Sequence, residues 1–272
     1  MPVSLDEIVA ATRRRVGETK SAADLRQLER QAGSHVPRGF RRALELGSAN
    51  GMAVIAELKQ ASPSRGLIRP DFDAQSLAKE LESAGAAALS VLTDQEFFLG
   101  SLENLRLASA NTKLPCLRKD FIVDEFQLLE ARANFADAVL LIVAALSQAE
   151  LKTLARRASE YSLDVLCEVH NEAELQIAMD AGCNLIGVNN RDLRTFQVDL
   201  EASLRLADLI PVSALPVAES GIHSGADIAR LRAVGYQAFL IGESLMKAKL
   251  PGEALRMLLA EAERKSQTLL RR

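Results

Sequence analysis

The sequence predicts an α/β chain: a single (β/α)8 TIM barrel spanning residues 1–272, of which 1–47 form a helical N-terminal extension. Three observations carry this. From Met52 onward, short runs rich in Val, Ile and Leu recur. They begin near Val54, Ala88, Pro115, Ala138, Asp164, Leu185, Pro216 and Ala238, a mean spacing of about 26 residues and close to one βα unit. The runs are almost continuously apolar, as in parallel strands buried on both faces. The third observation is helix punctuation between them. Ser147-Gln-Ala-Glu150 fits a capping box, Asn171 can cap a helix, and Gly85, Gly182 and Gly235 stand at helix stops. An open doubly wound sheet would instead call for a Gly-rich nucleotide loop after the first strand. Glu57-Leu-Lys59-Gln-Ala-Ser62-Pro63-Ser64-Arg65-Gly66 is not one.

Taken in order, the extension comes first. Ser4-Leu-Asp-Glu7 fits a capping box, and Leu5, Ile8, Val9 and Val16 fall near one helical face. A second helix is expected from Ser21 to about Ala32, stopped by Gly33. Pro37 and Gly39 then break the chain before Phe40–Leu46. The segment has too little apolar material for a core of its own, so it packs on the barrel.

Side chains alternate across a strand, so parity separates inward from outward positions. Glu57 and Lys59 share a face with Ile55, Lys119 with Leu117, Glu168 with Leu166, and Glu219 with Val217. Charged residues therefore sit late on strands 1, 3, 5 and 7, facing inward. Burying charge is costly unless it is paired or used, so this ring marks a catalytic mouth. A purely structural ring of ion pairs is the alternative, but apolar filling would be at least as stable.

The later loops suggest anion binding. Glu219-Ser220-Gly221 follows strand 7, and Gly242-Glu243-Ser-Leu-Met246 follows strand 8. In many barrels these two loops cradle a phosphate with backbone N–H groups. Glu243 would repel phosphate unless its side chain turns away. Asn189 after strand 6 faces the mouth, and Arg191 can clamp a carboxylate or pair with Asp192 or Asp199. His170 and His223 read as loop hydrogen-bonding residues. Ser62 opens a turn with hydroxyls in reach of a ligand.

Composition narrows the partners. Apolar residues make up 48% and charged residues 25%, ordinary for a globular chain. Aromatics are 4% with no Trp, which disfavours modules that stack nucleic-acid bases. A net charge of −3 gives no general affinity for polyanions. The longest apolar run, Ala138–Leu146, is far short of the roughly 20 residues that span a bilayer. The N-terminus has no signal-peptide pattern. Cys116, Cys167 and Cys183 show no ligand spacing and read as reduced thiols of a cytoplasmic protein. Three scattered histidines offer no zinc site.

Val54-Ile-Ala-Glu57-Leu-Lys59-Gln-Ala-Ser62-Pro63-Ser64 resembles the signature of the indole-3-glycerol-phosphate synthase family of the tryptophan pathway. Leu117-Arg-Lys119-Asp-Phe121, Glu168-Val-His170, Gly187-Val-Asn189-Asn190-Arg191-Asp192, Ala218-Glu219-Ser220-Gly221 and Ile241-Gly242-Glu243-Ser-Leu-Met246 are similar to its later motifs, in the family order. The resemblance implies that the extension packs over the barrel mouth and that no second pathway enzyme is fused. It implies ring closure of 1-(2-carboxyphenylamino)-1-deoxyribulose 5-phosphate with loss of CO2 and water. It implies Glu57, Lys59, Lys119 and Glu168 as catalytic residues. Ser62, Asn189, Arg191, Glu219 and Ser220 would bind substrate, and Gly221, Gly242 and Glu243 the phosphate. Lys119 is the expected general acid for ring closure. Lys59 and Glu57 serve dehydration, or Lys59 holds the substrate carboxylate; Glu168 positions Lys119 or shares the base role. No cofactor or metal is required. A monomer is expected, with at most weak association with other enzymes of the pathway.

Two other readings use the same barrel. A phosphosugar isomerase of the Amadori type wants a Cys or Asp acid–base pair at the mouth, yet Cys116 and Cys167 fall on the opposite parity from Lys119 and Glu168. A phosphate-ligand sensor would keep the loops without needing the lysines.

Overall fold

A computed structural model describes residues 4–192 and 197–270. Eight parallel strands close into a barrel: β1 (Ala53–Leu58), β2 (Ala88–Leu92), β3 (Cys116–Lys119), β4 (Ala138–Ile142), β5 (Asp164–Val169), β6 (Leu185–Asn189), β7 (Leu215–Glu219) and β8 (Ala238–Ile241). They neighbour one another in chain order, and β8 pairs with β1 through Ala53–Ala238 to Ala56–Ile241. Each predicted strand is present, displaced by at most one residue from its expected start. Helices fill the connections. Among the described residues no helix is long and apolar enough to cross a membrane.

Alternation along the strands produces two separate cores. Val54, Ala56, Val91, Cys116, Val139, Cys167, Ile186 and Phe239 point outward and pack under the helices. Ile55, Leu117, Leu140, Leu166, Val217 and Leu240 point inward and fill the barrel. Cys116 and Cys167 thus lie on the helix side, as parity predicts. Burial there pushes the Cys116 thiol up to about 12.

The extension forms three helices, α1 (Leu5–Ala22), α2 (Leu25–Ala32) and α3 (Phe40–Ala49). The Ser4–Glu7 capping box is present. The expected start of the second helix at Ser21 needs correction. The first helix continues to Ala22, and Asp24 caps the second by accepting the Gln27 N–H at 3.0 Å. Asp and Ser are comparable N-caps, but Ser21 is still inside the first helix, and Asp24 is the first such residue after its end. The extension also travels further than expected. α1 reaches the mouth, where Leu5 and Ile8 line the cavity. α2 packs on the flank, Ala32 against Leu129 and Ala133. α3 plugs the opposite end, its Phe40 and Leu44 joining the inner core with Ala53, Ala88, Ala138 and Ala238. Alanines at the start of four strands leave room for those two large side chains.

Buried ion pairs fix the route. Arg38 reaches both oxygens of the fully buried Asp137, at 3.1 and 2.6 Å from Oδ2, and the carbonyls of Ser109 and Thr112. Burial alone would raise the Asp137 carboxyl; His35 and Arg38 hold it below the usual carboxylate range. At the other end Arg15 of α1 contacts Asp94 at 3.0 Å.

Candidate active site

The five charged residues read from strand parity meet inside the mouth. Lys119, the last residue of β3, places Nζ 3.0 Å from Glu168 Oε2 and 3.3 Å from Glu219 Oε2. Lys59, one residue past the end of β1, lies 2.5 Å from Glu57 Oε1. Asn189 closes β6 by donating from Nδ2 to Glu168 Oε1 at 3.1 Å and accepting the Arg191 N–H at 3.0 Å. Glu57, Glu168 and Glu219 are almost wholly buried.

Two glycines make this crowding possible. A Cβ on Gly187 of β6 would come within 2.0 Å of Glu219 Oε1, and one on Gly242 within 2.4 Å of Glu57 Oε1. Glu219 and Glu57 therefore each lean over a neighbouring position that lacks a side chain. Gly242, expected at the phosphate, also leaves its empty side to Glu57. After β7, Ser220 (φ 63°) and Gly221 (φ 76°) adopt consecutive left-handed conformations. The turn is held by Asn190, whose Nδ2 donates to the carbonyls of Glu219 at 3.0 Å and Ser220 at 3.2 Å.

The electrostatics of the trio are uneven. Burial raises the Glu219 carboxyl to about 7; Lys119 opposes this, while Glu168 and Glu57 add to it. Glu219 Oε1 has no hydrogen-bond partner in the protein. Burial would also raise Glu168, but Lys119, His170 and the Asn189 amide keep it below the usual carboxylate range. Lys119 moves the other way. Burial lowers it, yet the charges of Glu168, Glu219 and Glu57 outweigh burial and hold it above the ordinary lysine range. Near neutral pH the site thus contains a fixed ammonium, a fixed carboxylate and a carboxyl poised between its two forms.

The cavity above them has a volume of about 260 Å³. Ser62, Ser220, Gly221, Arg191 and Gly242 also line it. Its other wall is apolar and was missed in the sequence: Phe98, Phe121, Leu140, Ile142 and Leu240, covered by Leu5 and Ile8. The Phe98 and Phe121 rings lie 6.2 Å apart at 40°. A usable signal existed, since a chain so poor in aromatics places Phe121 two residues beyond Lys119. Ser62 sits in a small hairpin, Ala61–Ser62 paired with Gly66–Leu67, where only a turn was expected.

The repulsion that Glu243 would exert on a phosphate is offset by neighbouring cations. Its carboxylate is held by Lys247 at 2.6 Å, Arg65 at 3.1 Å and Arg191 at 3.5 Å. Burial would raise it, but Lys247, Arg65 and Lys59 keep it low. Three cations around one anion leave this end of the cavity favourable to a further anion. Arg65, in the loop after β1, was not foreseen.

Comparison with known proteins agrees with this geometry. The sequence profile of the family "Indole-3-glycerol phosphate synthase" matches residues 5–258. A protein of that name from Koribacter versatilis is 59% identical over 259 residues, covering 95% of this chain and all of the relative. One from Polaromonas naphthalenivorans is 45% identical, covering 94% of this chain and 98% of its own. Among solved structures, KGPDC from Streptococcus mutans superposes with a TM-score of 0.61 at 14% identity, over 78% of this chain and 98% of that one, a likeness of fold alone. With a family profile spanning nearly the whole chain and a relative sharing more than half of its residues, the chain belongs to the indole-3-glycerol phosphate synthase family.

Proposed function

We propose that the site closes an indole ring on 1-(2-carboxyphenylamino)-1-deoxyribulose 5-phosphate, with Lys119, Lys59 and Glu57 moving the protons. The observation that carries this is one partly buried lysine shared by two buried carboxylates beneath an aromatic wall. The aniline ring stacks in the Phe98–Phe121 end, and the phosphate lies toward Arg65, Arg191 and the backbone N–H groups of Gly221, Gly242 and Glu243. Ser62 and Ser220 donate hydrogen bonds to the substrate, and Asn189 and Glu219 orient it.

In ring closure the aromatic carbon that bears the carboxylate attacks the ketone carbon. The carbonyl electron pair moves to oxygen, which takes a proton from Lys119. An alkoxide is a stronger base than an amine, so this transfer runs downhill even from an ammonium held above the usual lysine range. The fixed positive charge also stabilises the developing oxyanion. The bond to the carboxylate then breaks, CO2 leaves, and its electron pair restores the aromatic ring. Lys59 protonates the departing hydroxyl, and Glu57 takes the proton from the adjacent carbon. Glu168 positions Lys119. The isomerase alternative gains nothing here, because the thiols it would use face the helices.

The same reading has the chain working in the cytoplasm as a monomer, at most weakly associated with other enzymes of the tryptophan pathway; its buried, unbridged thiols suit a reducing compartment. Indole fluorescence after mixing purified protein with substrate, without added metal, tests the activity. In the same assay Glu57→Gln and Lys59→Ala are expected to spare ring closure and accumulate the hydroxylated intermediate in a single turnover. Failure of that intermediate to accumulate removes the pair from dehydration.

A further inference from the structure

Proton counting on this mechanism leaves one debt. Lys119 and Lys59 each give a proton, and Glu57 receives one. Glu57 can return its proton to Lys59, 2.5 Å away, so that pair resets itself. Lys119 cannot be reset internally. The substrate carboxylate departs as neutral CO2, so each turnover draws one proton from solvent, and that proton must reach Lys119 Nζ.

Behind Lys119 lies a chain of acid–base groups of which the mechanism uses only Glu168. Glu168 Oε2 accepts from Lys119, while its other oxygen, Oε1, faces His170 Nε2 at 3.5 Å. That imidazole nitrogen is buried and has no hydrogen-bond partner. The opposite nitrogen, Nδ1, lies 2.9 Å from Glu174 Oε2. Glu174 is itself fixed by the His170 N–H at 2.9 Å and by Asn171 Nδ2 at 2.8 Å. His170 does not line the catalytic cavity. It lines a second, shallow concavity with Asn171, Glu172 and Arg205. The series Lys119, Glu168, His170, Glu174 thus runs from the reacting end of the site to the outside of the barrel wall.

We propose that His170 is a positioning residue that relays protons from solvent through Glu168 to Lys119 while substrate fills the mouth. This rests on Lys119 as the general acid. The imidazole takes a proton on Nδ1 from Glu174 or solvent and releases one from Nε2 to Glu168, and Glu168 passes it to the neutral Lys119 amine. Glu174 regains its proton from solvent and a ring flip turns the remaining N–H back toward Glu168, so every group ends in its starting state with one proton moved inward. The charged groups facing His170 are Glu168 from β5, Glu174 from the following helix and Glu219 from β7, with Arg205 at the outer concavity. Burial disfavours the imidazolium, but Glu174 and Glu168 more than restore it, so His170 protonates more readily than a free histidine.

The test separates the first turnover, which uses a proton already on Lys119, from later ones, which need a new one. Product fluorescence is followed by rapid mixing with excess substrate. In His170→Asn the first turnover keeps the wild-type rate, and the ratio of first-turnover to steady-state rate rises about tenfold, below the roughly 10²–10⁴ expected for loss of a group that protonates substrate itself. Glu174→Gln gives the same split in a milder form, and added imidazole restores the steady state of His170→Ala. An unchanged ratio, or a first turnover slowed as much as the rest, overturns the relay. Lys119→Ala in the same assay isolates the underlying reading: wild-type turnover there would overturn the general acid itself, whatever His170 does.

Discussion

Arg118 and Lys119 are consecutive cations at the end of one strand, Arg118 buried and Lys119 partly buried, yet their surroundings differ. Arg118 points outward, where Asp120 at 2.9 Å, Glu130 at 2.8 Å and the carbonyl of Gln127 at 2.8 Å meet its donors. Asp120 is in turn bound by Thr93 at 2.6 Å and by the Phe121 N–H at 2.9 Å. Lys119 points inward to a pair of carboxylates, one of which keeps an oxygen without a partner and titrates near 7. The outer cluster is closed and holds the β3 end in place. The inner one is left incomplete toward a cavity. Burial and pairing alone do not distinguish structure from catalysis; unused hydrogen-bonding capacity facing a void does.

Substitutions along this one strand end can break the comparison. The largest effect is expected for Lys119→Ala, with kcat lowered by roughly 10²–10⁴. Stability measured by urea denaturation should change little, because Glu219 takes up a proton in place of the lost cation. Arg118→Met should do the reverse. Leaving Asp120 and Glu130 buried without their cation costs about 3–5 kcal/mol in the same denaturation experiment, while kcat per folded molecule stays close to wild type. If both substitutions cost mainly activity, or both mainly stability, the division between the two faces fails.

The smallest effect sharpens the inner half. The folded-state value of Glu219 is raised from 4.5 to about 7. Between those values the folded protein keeps a proton that the unfolded chain has lost, so stability declines as pH rises through that window. Glu219→Gln should flatten this slope in melting temperature against pH. A slope unchanged by the substitution would assign the titration elsewhere.

Much of this division was legible before any coordinates. Strand alternation is a strict two-residue period, so one apolar residue of known facing, such as Leu117, assigns Lys119 to the barrel interior and Arg118 to the helices. The closed barrel followed from eight evenly spaced runs. What escaped depended on approach between distant segments. Nothing local to Glu243 says that Arg65, 178 positions earlier, will reach it. Nothing near Gly242 says that Glu57 needs its empty side. The apolar wall of Phe98 and Phe121 was likewise assembled from separate loops, and the route of α2 and α3 to the far end was set by Asp137, a partner about a hundred residues from Arg38.

That route bears on how the chain is made. Arg13 of α1 ties to Glu150 and the Val123 carbonyl, while Arg41 of α3 ties to Asp164 and the Ser213 carbonyl. During synthesis the helices of residues 5–49 therefore have no destination until most of the barrel that follows them has emerged. Phe40 and Leu44 must wait in water for a cylinder that does not yet exist. Helices made before the barrel dock on it only afterwards, which makes them the stretch most in need of shelter from premature association.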